Sequence, residues 1–202
     1  MLSGIKSIKF FTFVIKIIEM LKRLFSVLKL VLILSLFSCT AYKPVVSTSF
    51  KGVSAEDYIN IFKDLAISEM KRTGIPASIT IAQGIIESDC GRSRLAREAN
   101  NHFGIKCHDD WTGPVIRHND DKRNECFRKY RKPEESFYDH SDFLKSAARY
   151  SFLFDIEVTD YKAWARGLKR SGYATNPDYA NMLIRTIEEN NLWHFDQAIQ
   201  AV

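Results

Sequence analysis

Apolar positions fall into helical spacing over most of the chain. Ser54 followed by Asp57 reads as a helix N-cap with an acid in the first turn, and Phe62, Leu65, Ala66 and Met70 then recur at intervals of a helical turn. Gly74 is placed to stop that helix and Pro76 to start another. The second helix carries Ile79, Ala82, Ile85 and Ile86 with little polar interruption before Glu87. A helix apolar all round is a buried one, so it is expected to end with a carboxylate beside the core. Helical spacing returns at Phe137, Phe143, Leu144 and Ala147, again around Trp164 and Leu168, and last at Tyr179, Met182, Leu183 and Ile187. Thr175, Asn176 and Pro177 form a capping cluster ahead of this last helix, with proline in its first turn.

Between Asn100 and Tyr130 the pattern changes. HFGIKC, GPVIRH and ECFRKY are short, β-branched and aromatic, and the WTG and NDDKRN turns separate them, as in a small antiparallel hairpin or meander. The pattern predicts a mainly α fold, one helical domain over residues 53–197 with a single β insertion. Its length of about 145 residues is enough for one real core. No internal repeat or low-complexity tract interrupts it.

The N-terminal pattern is of another kind. From Met20 the chain reads MLKRLFSVLKLVLILSLFSC, a basic stretch, an apolar run centred on Leu30 to Phe37, then Ser38 and Cys39. This is the layout of a secretory signal, with an apolar run too short to span a bilayer comfortably. Leu36 to Cys39 also resembles the lipobox of bacterial lipoproteins, whose cysteine is lipidated and becomes the new N-terminus. An uncleaved single-span anchor is the alternative, and either arrangement puts the domain outside the cytoplasm. Residues 1–38 are therefore expected to be leader and 39–52 tether, with membrane attachment through a lipid on Cys39. Residues 1–19 form a second basic, apolar stretch that a signal does not need, and a translation start at Met20 would make it a mis-assigned start. Thr40 after the cysteine does not match the aspartate associated with inner-membrane retention, so the expected location is the outer membrane, facing the periplasm.

This leader changes the meaning of the net charge. The 202 residues carry 29 basic and 24 acidic side chains, a formal +5 that invites a nucleic-acid partner. Six of the basic residues and one acid lie in the first 38, leaving 23 of each from Cys39 onward. The domain is neutral, no nucleic acid is expected, and a monomer is the expected state. Of the cysteines beyond Cys39, Cys107 and Cys126 close a loop of about twenty residues; in an oxidising compartment a disulfide there is worth about 3 kcal/mol. A metal site is the competing role, yet no CxxC or His-x3-His spacing accompanies them, so neither metal nor other cofactor is expected. Cys90 is left as a structural or free thiol. The five histidines are dispersed without an HExxH, which argues against a zinc amidase.

The segment QGIIESDCGRS holds the leading catalytic candidate. Glu87 ends an apolar helix ahead of a turn at Gly91, and a partly desolvated carboxyl there keeps its proton toward neutral pH, as needed to protonate a leaving oxygen in glycoside cleavage. A helix-end glutamate in water is the plainer role for the same spacing.

Six segments then occur in series from about Tyr58 to Trp193: QGIIESDCGRS, ANNHFGIK, the WTGP turn, ECFRKY, SFYDHSDFL and GYATNPDYANML. Together they resemble glycoside hydrolase family 73, bacterial β-N-acetylglucosaminidases that include cell-separation autolysins and flagellum-assembly wall hydrolases. The resemblance implies a lysozyme-like α+β fold, a helical lobe with a small antiparallel hairpin lobe. It also implies an endo-β-N-acetylglucosaminidase acting on peptidoglycan glycan strands, at the N-acetylglucosaminyl-β-1,4-N-acetylmuramic acid bond, with Glu87 in the acid position. Family members typically carry a Thr-x-Glu-Tyr in the first hairpin strand, which this chain lacks. By distance from Gly113 and Pro114 the nearest acids are Asp120 and Asp121, with Glu125 the alternative across the turn; a solvated hairpin tip would use the same residues. A carboxylate roughly 5 Å from the acid would serve as nucleophile, one at roughly 6.5 to 9.5 Å would leave room for water, and attack by the substrate's own N-acetyl group would need only an orienting acid. Tyr173 and Tyr179 match the family's groove-lining aromatic motif, and Phe103 and Trp111 are further candidates for the cleft. For Tyr179 core packing is the competing role, and for Phe103 anchoring of the β lobe. A lytic transglycosylase of the same architecture and a catalytically idle wall-binding lipoprotein are the rival functions.

Overall fold

The computed structural model describes Lys22 and residues 53–108, 111–120 and 122–199. Cys39 with the rest of the tether, the leader apart from Lys22, and Asp121 lie outside the described residues. The chain divides into two units, Met1–Val45 and Val46–Val202, and the fold below belongs to the second. Among the described residues no helix is long and apolar enough to cross a membrane.

Helix α1, Ala55–Thr73, opens on a reciprocal capping box in which Ser54 and Asp57 each accept the other's backbone N–H. It closes on Gly74 at φ +85°, a left-handed turn that glycine adopts without steric cost. Helix α2, Ala77–Ser88, is the buried element that its sequence predicts, enclosed from Ala77 through Gly84. Pro76 gives its N-terminus no side-chain cap, and Asp196, far along the chain, supplies one. The Asp196 carboxylate accepts from the Ser78 backbone N–H at 2.9 Å and from the Ser78 hydroxyl at 2.6 Å. Burial lifts the Asp196 carboxyl to about 6.

Helix α3, Arg94–Ala99, leads into the β lobe, where β1, Val115–His118, pairs antiparallel with β2, Glu125–Arg128, Val115 opposite Arg128 and His118 opposite Glu125. Of the hairpin and the meander that the sequence allows, the described residues form the hairpin, and the segment before it joins β2 through a single Lys106–Phe127 bridge flanked by hydrogen bonds from the Arg128 N–H to the Ile105 carbonyl and from the Cys107 N–H to the Cys126 carbonyl. Asn101 shapes the turn ahead of that bridge. Its amide accepts from the Ile105 N–H and donates to the Ile105 and Arg128 carbonyls, all at 2.9 Å, closing 101–105 into a turn with Gly104 at φ +61°. The Cys107–Cys126 disulfide joins the segment after that turn to β2.

Helix α4, Pro133–Ser146, stops one residue short of the predicted Ala147, whose extended backbone turns the chain into a 3₁₀ segment, Ala148–Asp155. Helices α5, Tyr161–Arg170, and α6, Tyr179–Glu189, follow, and a second 3₁₀ segment, Leu192–Ile199, carries Asp196. Pro177 lies ahead of α6 rather than within it, in a turn where the Asn176 side chain accepts from the Asp178 N–H. The main core gathers Ile79, Leu144, Trp164 and Leu183 around α2. A second cluster of Tyr58, Phe62, Phe103 and Phe137 underlies the β lobe.

Gly84 shows how closely α2 is packed. A Cβ there would fall 2.5 Å from the hydroxyl of fully buried Tyr58, which is itself hydrogen-bonded to His102 Nδ1 at 2.9 Å. Alanine gains about 1 kcal/mol in helix propensity, but overpacking against a ring that cannot withdraw costs about 1–3 kcal/mol. Gly84→Ala is expected to destabilise the domain by about 1–2 kcal/mol, read as a lower urea midpoint at unchanged slope.

Candidate active site

Glu87 occupies the last turn of α2, half-buried. Beyond it the chain makes three consecutive left-handed residues, Asp89, Cys90 and Gly91, with φ between +51° and +79°. Two of these carry side chains, and such backbone is held only where its surroundings determine it. Here the Ser88 hydroxyl accepts from the Gly91 N–H at 2.7 Å, and Arg92 clamps Asp89. The result is an abrupt helix end that leaves Glu87 facing a cavity of about 460 Å3, a volume suited to a small-molecule or sugar site.

The Glu87 carboxyl is set from α6. The Tyr179 hydroxyl donates to Glu87 Oε1 at 2.7 Å and accepts from Gln83 Nε2 at 3.1 Å. Because the tyrosine has one proton to give, Gln83 must present its NH2 to it. Burial pushes the Glu87 pKa above the ordinary carboxyl value; the Tyr179 hydrogen bond opposes the shift, and the negative charge of Asp120 adds to it. Tyr179 is 2% exposed and does not line the cavity. Its place is behind the acid, which joins core packing to control of Glu87. Tyr173 does line the cavity, half-buried after Gly172, with its ring stacked on Tyr179 at 5.6 Å and 20°.

The hairpin candidates separate. Asp120 follows β1, lines the cavity with Glu87, and pairs with Lys106 at 3.1 Å. Glu125 does not line it; its oxygens hold Lys106 at 3.0 Å and accept from the Lys122 backbone N–H at 3.0 Å. Lys106 thus binds Asp120 and Glu125. Phe103 is on the cavity wall but mostly enclosed, stacked on His140 at 4.0 Å and edge-on to Phe137. Trp111 is not on the wall. Its indole N–H donates to the Pro114 carbonyl, its ring covers Gly113, and Arg128 lies over it at 4.8 Å, so it braces the turn of the β lobe.

Several wall residues have no counterpart in the sequence reading. His140 is fully buried, with neither ring nitrogen hydrogen-bonded among the described residues, and burial pushes it down to about 3, so it serves as a neutral ring. Tyr150, Arg149 and Phe143 also line the cavity. Gln83 was open to detection, since residues four apart share a helix face and it lies one turn before Glu87. Arg149 and Tyr150 were not, because the 3₁₀ segment carrying them has no periodic signal.

A half-buried carboxyl with raised proton affinity, a second carboxylate lining the same cavity and aromatic walls are the equipment of glycoside cleavage. Residues 63–192 match the family described as mannosyl-glycoprotein endo-beta-N-acetylglucosaminidase. The exo-glucosaminidase LytG of Bacillus subtilis is 31% identical over 192 residues, covering 89% of this chain and 67% of LytG. The peptidoglycan hydrolase FlgJ of Vibrio parahaemolyticus is 30% identical, covering 68% of this chain; the chain spans only about half of that relative, 48% of its length. The crystal structure of a peptidoglycan hydrolase from Sphingomonas sp. A1 superposes with a TM-score of 0.61 at 31% identity, over 73% of this chain and 96% of the other. The chain belongs to the glucosaminidase family of glycoside hydrolases and carries its lysozyme-like fold, mostly helical with a two-stranded lobe.

Proposed function

We propose that this protein hydrolyses peptidoglycan glycan strands at the N-acetylglucosaminyl-β-1,4-N-acetylmuramic acid bond. The observation that carries the assignment is Glu87, a carboxyl with raised proton affinity, held by Tyr179 and facing a cavity shared with Asp120. Glu87 gives its proton to the glycosidic oxygen as the bond to the anomeric carbon breaks, and the positive charge developing on the sugar ring is stabilised by the Asp120 carboxylate. Water completes the hydrolysis, and its second proton restores Glu87. Tyr173 offers a face for sugar stacking.

The lipobox-like Leu36 to Cys39 and the neutral domain behind it support an exported lipoprotein, anchored through Cys39 and facing the periplasm from the outer membrane. Mass spectrometry of digested walls tests the reaction. Reducing N-acetylglucosamine ends are expected; anhydro-muramyl ends would instead identify a lytic transglycosylase, and an undigested wall an idle binding module.

Tyr179→Phe gives a more local test. The lost hydroxyl stabilised the ionised carboxylate, so the Glu87 pKa rises further, and because the protonated form is active the alkaline limb of the pH–rate profile is expected to move to higher pH. Loss of one hydrogen bond to a charged group limits the fall in kcat to roughly tenfold. An unmoved limb would mean that Tyr179 only packs.

A further inference from the structure

Three basic side chains line the cavity, and two are committed to acids. Arg94 pairs with Glu98 at 3.0 Å, and Lys106 holds Asp120 and Glu125. Arg149 is different. Among the described residues it has no carboxylate partner, and its guanidinium lies over the rings of Tyr150 at 4.7 Å and Phe143 at 5.7 Å. A guanidinium has five N–H donors in a planar fork, so one that lies near a ring keeps donors with which to receive a carboxylate through two parallel hydrogen bonds.

Its position relative to the acid follows from the aromatic contacts. Tyr179 touches Glu87, Tyr173 stacks on Tyr179, Tyr150 is 6.4 Å from Tyr173, and Arg149 covers Tyr150. A cation without an acid partner among the described residues therefore lines the same cavity as Glu87, linked to it through successive ring contacts. With equal numbers of acids and bases from Cys39 onward, net charge gives the domain no long-range pull on an anionic polymer.

We infer that Arg149 is a specificity residue that binds a carboxylate of the muramyl side of the substrate. The inference rests on the peptidoglycan assignment above. That carboxylate is either the free lactyl group of a denuded strand or a carboxylate of an attached stem peptide. The chemistry at Arg149 is the same for both.

Binding to Glu87→Gln protein, which cannot turn the ligand over, tests this separately from the reaction. Three glycan ligands are compared by calorimetry: denuded oligomers, the same oligomers with lactyl carboxyls reduced to alcohols, and peptide-bearing oligomers. A carboxylate-bearing ligand is expected to bind about tenfold more tightly than the reduced one, or about 1.4 kcal/mol. Adding Arg149→Gln is expected to bring that ratio near one, adding Arg149→Lys to keep part of it, and salt to weaken it. Loss of preference for the denuded oligomer identifies the lactyl group, and loss confined to the peptide-bearing oligomer identifies the stem. An equal fall for all three ligands, or no fall for any, overturns the inference. Failure of the wild-type protein to release reducing N-acetylglucosamine ends would overturn the reaction while leaving this comparison intact.

Discussion

Replacing Glu87 with glutamine is expected to lower wall hydrolysis by on the order of a thousandfold, within the range general acid catalysis supplies. The substitution preserves shape, and the new amide oxygen still accepts from the Tyr179 hydroxyl, so thermal stability should hold. Alanine is a poorer test. It would leave that buried hydroxyl without its acceptor and mix a folding cost into the rate. Turbidity loss of purified walls measures the rate, and a pull-down on the same walls measures binding. Retained binding with lost lysis is the expected pair of results. Unchanged lysis would remove Glu87 from the chemistry.

The second large effect is expected at the hairpin. Asp120→Asn removes a negative charge that faces the developing positive charge of the sugar ring, and kcat should fall by about tenfold to a hundredfold, less than for a fully enclosed stabiliser because Asp120 is half exposed. The pH profile gives the more discriminating readout. Asp120 raises the proton affinity of Glu87, so its neutralisation lets Glu87 ionise at lower pH, and the alkaline limb should shift downward. This is the opposite of the shift expected for Tyr179→Phe. Glu125→Gln leaves the cavity lining intact and should cost activity only through a looser Lys106. If Glu125→Gln proves the more damaging and leaves the limb where it was, the hairpin roles are reversed.

The sequence expressed well those features that depend on near neighbours. The enclosed α2, its termination beyond Glu87 and the cap of α1 follow from apolar spacing, left-handed turn residues and a Ser/Asp pair three apart. What it concealed depends on distant partners. Asn101 ties the turn at 101–105 to the Arg128 carbonyl of β2, and Asp196 caps a helix 118 positions earlier. The site divides in the same way. Glu87 stood out because its helix is apolar, whereas the tie to Tyr179 and the choice of Asp120 over Glu125 at the cavity needed the folded chain. Trp111 shows the reverse difficulty, since a tryptophan beside a turn reads equally as cleft wall or as brace until its neighbours are known.

The link between Glu87 and Tyr179 spans 92 positions. A chain folded only through α4 would hold the carboxyl without the tyrosines that cover it, and water would return it to ordinary acidity. Potency therefore arrives with the last helix. A mutation that merely loosens α6 is therefore expected to weaken the enzyme without touching the cleft.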